Sequence, residues 1–334
     1  MNNAEIQTDS GKICIANQQK FTSHRCGWNY AIQALQPLHN PKGVLFDGFI
    51  ESSFLWQSEQ ARKVPYHQPW VGFIHYPPNM PKWFLYHDSP QSLFKREAWQ
   101  ESLQYCIGLF CLSDYQAQWI SAQTRKPVSS LLHPTEIPAV QFDFNKFAAN
   151  PQKKIVQLGW WLRQLNAIYQ LPIAKENRLN YQKVRLMPVS GSAAMRQILA
   201  IAQKEREIEE ISFSKRYLEN TVEWSRLSDE AYDTLLSENI AFTMLHDTSA
   251  NNAVTECIAR ATPLVINPLP AVVEYLGEDY PLYARSLNEA ADKVMDLDRI
   301  QATHEYLKTC STRQKMSASD FRQQFQSSEV YQLI

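Results

Sequence analysis

Residues 240–277 read IAFTMLHDTSANNAVTECIARATPLVINPLPAVVEYLG, and this stretch decides the fold. Ile240 to Leu245 is an apolar run of strand length. His246 closes it, and a small polar loop, Asp247-Thr248-Ser249-Ala250, follows. From Asn251 to Ala261 the apolar period becomes helical. Ala253, Val254, Cys257, Ile258 and Ala261 share one face, and Asn252, Glu256 and Arg260 recur four apart on the other. A second strand, Leu264 to Asn267, leads to a helix opened by Pro270. Strand, loop, helix, strand is the unit of a parallel sheet. Its helix N-terminus, at the carboxyl end of a strand, presents free N–H groups to a ligand and favours a diphosphate. Glu256, one turn deeper, is placed to accept from ribose hydroxyls.

The same rhythm runs outward in both directions. Lys12 to Ala16, Gly43 to Phe49, Trp70 to His75, Ile107 to Leu112 and Val128 to Leu132 read as strands with helical or loop segments between them. Residues 90–104 read as one helix. Ser113 and Gln116 have capping-box spacing before Trp119 and Ile120. Residues 139–152 lose periodicity and end at Asn150-Pro151, after which Lys154 to Leu158 starts a second series. That series continues through Val184 to Pro188, a highly charged helix over 192–210, a short strand from Val222 and a helix capped by Ser228. The expected fold class is α/β, with two Rossmann-like domains facing across a cleft. Residues 1–145 form the first domain, 151–314 the second, and 315–334 a C-terminal helix packing back on the first.

Bulk properties limit the function. With 334 residues, 44% hydrophobic and 20% charged, the chain is long enough for two cores. A net charge of −1 gives no reason to expect nucleic acid. Nine glycines are few against a usage of roughly 7%, and neither GxGxxG nor GxxxxGK[ST] occurs. That argues against an ordinary dinucleotide-dependent dehydrogenase or a P-loop enzyme. No signal peptide or spanning segment is read, so the expectation is cytoplasmic, with any membrane contact peripheral. The six cysteines form no CxxC pair and are read as reduced, buried small side chains. No cluster of metal ligands is read from the sequence, so no metal and no cofactor is expected.

The 240–277 segment resembles the donor site of the large retaining GT-B group of glycosyltransferases. Members carry a strand, a Ser-containing loop, a helix with a Glu-Ala-x-Ala-x-Gly-x-Pro stretch, a strand and a proline-led Glu. This chain has Glu256-Cys257-Ile258-Ala259-Arg260-Ala261-Thr262-Pro263, then Val265-Ile266, then Pro270 and Glu274. The Ser-Asp-Glu-Ala-Tyr pattern from Ser228, Gly159 after the first strand of the second half, and Ser113 extend the likeness. The resemblance implies transfer from a UDP- or GDP-sugar to a glycan, lipid or other hydroxyl acceptor, as in polysaccharide biosynthesis, with retention and without a metal. It implies donor binding by Thr248, Ser249, Asn251, Asn252 and Glu256. Catalytic roles fall to His75, Arg163 and Lys183, and acceptor contacts to Arg25, Gly27, Tyr76, Asn79 and Trp83. The chain departs from the family where a Glu usually stands eight positions before Glu256: that position is Thr248. This departure keeps a second reading open, a non-catalytic nucleotide-sugar-binding or scaffold subunit. A sugar-nucleotide epimerase would need a pair of acid and base carboxylates in the first half, and none is apparent.

Overall fold

A computed structural model of the chain describes residues 11–15, 27–57, 63–177, 180–212, 220–225 and 227–334. It divides into two compact units. The first comprises 1–76, 87–134 and 317–334, and the second 77–86 and 135–316.

The first unit is built on five parallel strands, β1 (Ile13–Cys14), β2 (Val44–Asp47), β3 (Trp70–Phe73), β4 (Cys106–Cys111) and β5 (Val128–Ser130), in spatial order 1-2-3-4-5. Helices cover both faces, so the strands are continuous apolar runs rather than alternating ones. Trp70, Ile74, Leu109 and Cys111 join Phe54, Trp99 and Ile120 in one cluster. At the alternate positions, Phe73 and Phe110 stack on Phe325 of the Ala318–Ser327 helix and Phe46 meets it edge-on. Gly108 lets the Glu329–Gln332 helix approach β4, since a Cβ there would meet Val330 at 2.7 Å. Ser113 caps the Asp114–Thr124 helix by accepting from the N–H of Gln116 (3.4 Å).

Two sequence boundaries need correction. The expected 90–104 helix is broken into Pro90–Leu93 and Glu97–Leu103, because Arg96 takes an extended conformation and starts the second piece. The chain also joins the second unit from Thr135, ten residues before the expected boundary. The aperiodic stretch is bound there by its backbone: Phe142 N–H donates to the Arg260 carbonyl and Asp143 N–H to that of Ser237, both at 2.9 Å.

The second sheet is also fully parallel, with β6 (Lys153–Gln157), β7 (Tyr181–Leu186), β8 (Thr221–Trp224), β9 (Ile240–Thr243) and β10 (Leu264–Ile266) in spatial order 10-9-6-7-8. The chain steps outward from β6 through β7 to β8, then returns to the other side of β6 as β9. Strand order therefore reverses between β6 and β9, and open α/β sheets bind ligands outside the carboxyl ends at such a point. No described helix is long and apolar enough to cross a membrane.

Candidate functional site

The loops leaving β6 and β9 are stitched together. His246 N–H donates to the Leu162 carbonyl (2.9 Å) and Gln164 N–H to that of Met244 (2.7 Å). Gly159, just past β6, has a φ of +71°, and a Cβ on it would lie 2.9 Å from a guanidinium nitrogen of Arg163. Glycine serves both needs, since it adopts the left-handed region freely and leaves the space open.

Arg163 is 8% exposed. Its Nε donates to the Leu158 carbonyl (3.3 Å), Nη1 to the Trp161 carbonyl and Nη2 to Oδ1 of Asn251 (2.8 Å). Among the described residues three of its five N–H donors are thereby used, which leaves one on each terminal nitrogen. Asn251 is the N-cap of the Asn252–Arg260 helix, and the same Oδ1 accepts from the N–H of Ala253 (3.0 Å). One side-chain oxygen thus ties a guanidinium to a helix N-terminus, two positive ends brought together where an anion is favoured. Burial lowers the Arg163 pKa to about 10, and attraction to Glu256 works against that shift, so the group stays charged at neutral pH.

The helix carrying Glu256 differs from its sequence reading. Asn252 is exposed, but Glu256 (3%) and Arg260 (2%) are buried with the rest of the helix. Neighbouring helices, Asp229–Ser237 among them, pack against the face that periodicity marks as polar. Glu256 accepts from the Tyr232 hydroxyl at 2.5 Å, and burial together with the Glu256 charge raises the pKa of that phenol. Arg260 pairs with Asp233, Nε at 3.0 Å and Nη2 at 2.6 Å, and its Nη1 donates to the Glu256 backbone carbonyl (3.3 Å). Glu256 and Arg260, which share a face by their period, are thus held in two separate buried partnerships. Tyr232 and Asp233 were missed as site residues, although the Ser228-Asp-Glu-Ala-Tyr pattern was the signal that pointed at them.

The remaining donor candidates line the loop before the helix. Thr248 and Ser249 are buried, and Thr248 Oγ1 donates to the Ala250 carbonyl (3.2 Å). Asp247 accepts from the backbone N–H of Asn79 (2.7 Å) and of Thr248 (2.9 Å). Asn79 and Trp83 belong to the second unit, where the Trp83 ring meets His246 edge-on at 5.2 Å. Phe84 meets Trp161 in the same way at 5.4 Å. Lys183 lies within β7, buried, with Nζ donating to the Tyr169 carbonyl (2.8 Å).

The other candidates lie in the first unit. Arg25 falls outside the described residues. Gly27 is the N-cap of the Trp28–Leu35 helix. His75, just past β3, is stacked on Phe49 (4.0 Å, 8°) and edge-on to Trp28 (4.4 Å). Beneath it is Glu51, fully buried and not singled out from sequence. Glu51 Oε1 accepts from the N–H of His75 and of Tyr76, both at 2.7 Å, and its Oε2 lies 3.6 Å from His75 Nδ1. Tyr76 is buried, and its carbonyl accepts from Gln116 Nε2 (2.7 Å). Of the described thiols none is in a disulfide, and burial pushes Cys106 up to about 12.

Glu205, Glu209 and His246 bring a ligand atom each within 4.8 Å of one another, a grouping not singled out from sequence. Periodicity could not reveal it, because His246 lies on a different element.

No family model matches the chain, and no curated protein matches it in sequence. Solved structures do match in fold. The α,α-trehalose-6-phosphate synthase of Burkholderia multivorans is 16% identical, with 89% of this chain and 73% of that one covered and a TM-score of 0.56. The trehalose-phosphate synthase (UDP-forming) of Burkholderia vietnamiensis gives 15%, 89%, 73% and 0.57. The E. coli trehalose-6-phosphate synthase bound with UDP-2-fluoro glucose gives 13%, 92%, 77% and 0.58. At these identities the likeness is one of fold: the chain has the two parallel α/β domains of GT-B glycosyltransferases.

Proposed function

We propose that the chain is a glycosyltransferase that takes a sugar from a nucleoside diphosphate sugar held on its second unit. The observation that carries this reading is the 2.8 Å bond from Arg163 to the N-cap Asn251, at the point where strand order reverses. A guanidinium and a helix N-terminus together stabilise the charge that develops on a departing diphosphate. Glu256 and Tyr232 lie one turn further along and suit the ribose. Because these groups carry the leaving-group charge, the transfer needs no metal on the diphosphate.

The neighbours in fold are named for UDP-forming synthesis of trehalose phosphate, which supports a UDP-sugar donor and a sugar phosphate as the first acceptor to test. In the reaction the bond from the sugar C1 to the β-phosphate oxygen breaks. The acceptor oxygen bonds to C1, and its proton passes to the departing phosphate. Retention follows if attack comes on the face the phosphate leaves.

A specific observation favours the second reading, a binding subunit without transfer. Where the family has a Glu, Thr248 gives its hydroxyl to its own loop, and the adjacent Asp247 accepts two backbone N–H groups. The test has two stages. A matching nucleoside diphosphate at about 100 times its Kd should stabilise the protein by about 2.7 kcal/mol, a rise of roughly 4 °C in Tm. Incubation with the corresponding sugar nucleotide and a sugar phosphate should then release the nucleoside diphosphate. Stabilisation without release would establish the binding subunit; the absence of any stabilising nucleotide would sink both readings.

A further inference from the structure

The charged Ala193–Ile208 helix buries Glu205 (1% exposed) on its inner face and is followed by Glu209 at its C-terminal cap. The Glu205 carboxylate is locked in orientation. Its Oε1 accepts from the N–H of Leu165 (3.1 Å), and Oε2 from the N–H (3.0 Å) and side-chain amide (2.5 Å) of Asn166. That same Oε1 lies 3.3 Å from Nε2 of His246, a side chain 9% exposed. The approach is not a hydrogen bond: the buried Nε2 makes none.

We propose that Glu205, Glu209 and His246 bind a divalent cation of the zinc kind. An imidazole with two carboxylates is a donor set that zinc accepts. Two ligands each about 2.0–2.1 Å from a tetrahedral zinc stand about 3.4 Å apart, which is the spacing of Glu205 and His246. Buried, hydrogen-bonded Glu205 supplies the fixed ligand, with Leu165 and Asn166 as its outer support. Glu209 is exposed, and its atoms are already within 4.8 Å of both partners, so a side-chain rotation closes the third position. Water takes the fourth. His246 also donates its backbone N–H to Leu162 (2.9 Å) and directly precedes Asp247, so the cation would brace the loops after β6 and β9. This inference does not depend on the transfer reaction. The competing arrangement is a protonated His246 paired with Glu205, which takes up no metal.

The test uses the full chain, stripped with EDTA and exchanged into chelator-free buffer at about pH 7.5, above the usual imidazole range. Calorimetric titration with zinc chloride should show one zinc per chain. Cobalt(II) should give the visible absorption of a four-coordinate site. Glu209→Gln changes an exposed side chain, so the fold should persist while zinc affinity falls at least about tenfold; His246→Ala should cost about a hundredfold or more. If His246→Ala fails to fold, Glu209→Gln decides alone. No stoichiometric uptake, or uptake unchanged by Glu209→Gln, overturns the proposal.

Discussion

The strand ends of the two sheets present opposite chemistry. Past β3, the first unit sets a buried carboxylate, Glu51, beneath His75 and walls the pair with Phe49 and Trp28. Past β6 and β9, the second unit sets a buried guanidinium against a helix N-terminus. Topology underlies the contrast. Strand order in the first sheet follows chain order, so successive loops leave in the same direction. In the second it reverses at β6, and the loops after β6 and β9 meet at that point. The proposed donor site accordingly sets the phosphates against Arg163 on the second unit.

The largest effect that would break this contrast is removal of Arg163. Breaking a buried charge interaction costs roughly 3–5 kcal/mol, so Arg163→Ala should weaken a nucleoside diphosphate by a hundredfold or more. The bare nucleoside, which carries no charge to pair, should bind nearly as before. Calorimetry on both ligands measures the ratio, with Tm as control, since the side chain also ties Leu158 and Trp161. Equal weakening of both ligands would mean that Arg163 holds the loop and not the phosphate.

A second difference between the units lies in their response to acid. Burial lowers the His133 pKa to about 4 from its ordinary 6.5, so the folded first unit holds this imidazole neutral. The unfolded chain takes up the proton first as pH falls. Stability is therefore complete above about pH 6.5 and declines as pH drops toward about 4, by about 3 kcal/mol in all. Burial raises the Asp47 carboxyl and acts in the opposite sense, so the informative quantity is the difference between the wild type and His133→Gln. Urea unfolding across this range should show a shallower acid slope in the variant. Identical slopes would mean that His133 is hydrated. Arg163 stays charged throughout and adds no slope.

Much of this was legible in the sequence. The apolar runs located the strands to within a few residues, and Ser113 and Ser228 marked helix starts through a mechanism that acts locally. The junction of Arg163, Asn251 and Glu256 was foreseen only as a region, because the resemblance placed a basic residue there. What was not legible shares one cause. Periodicity tells which side chains share a face, not what packs against that face. Glu256 and Arg260 fall on the polar side of the helical period, yet their partners Tyr232 and Asp233 lie 24 and 27 residues away on another helix. Glu51 beneath His75 and Glu205 beside His246 are hidden for the same reason. The break at Arg96 and the early boundary at Thr135 depend on backbone conformation and pairing that composition does not encode.

The smallest of these effects, and the one that sharpens the contrast most, is expected from Glu256→Gln. The glutamine keeps the shape, and its amide oxygen can still accept from Tyr232, so the buried helix should hold with a loss of about 1–2 kcal/mol as a charged bond becomes neutral. For ligands two consequences oppose each other. Bonds from ribose hydroxyls to a carboxylate contribute roughly 1.5–3 kcal/mol and are weakened. Loss of the carboxylate charge also leaves Arg163 uncompensated, which strengthens its hold on phosphate. For a diphosphate the second effect offsets part of the first. The bare nucleoside feels only the first. Its affinity should fall about ten- to a hundredfold, while that of the diphosphate falls less, so the ratio of the two should rise. Arg163→Ala drives the same ratio down. A nucleoside affinity untouched in folded Glu256→Gln would remove the ribose from Glu256 and leave the diphosphate site standing on Arg163 and the helix N-terminus alone.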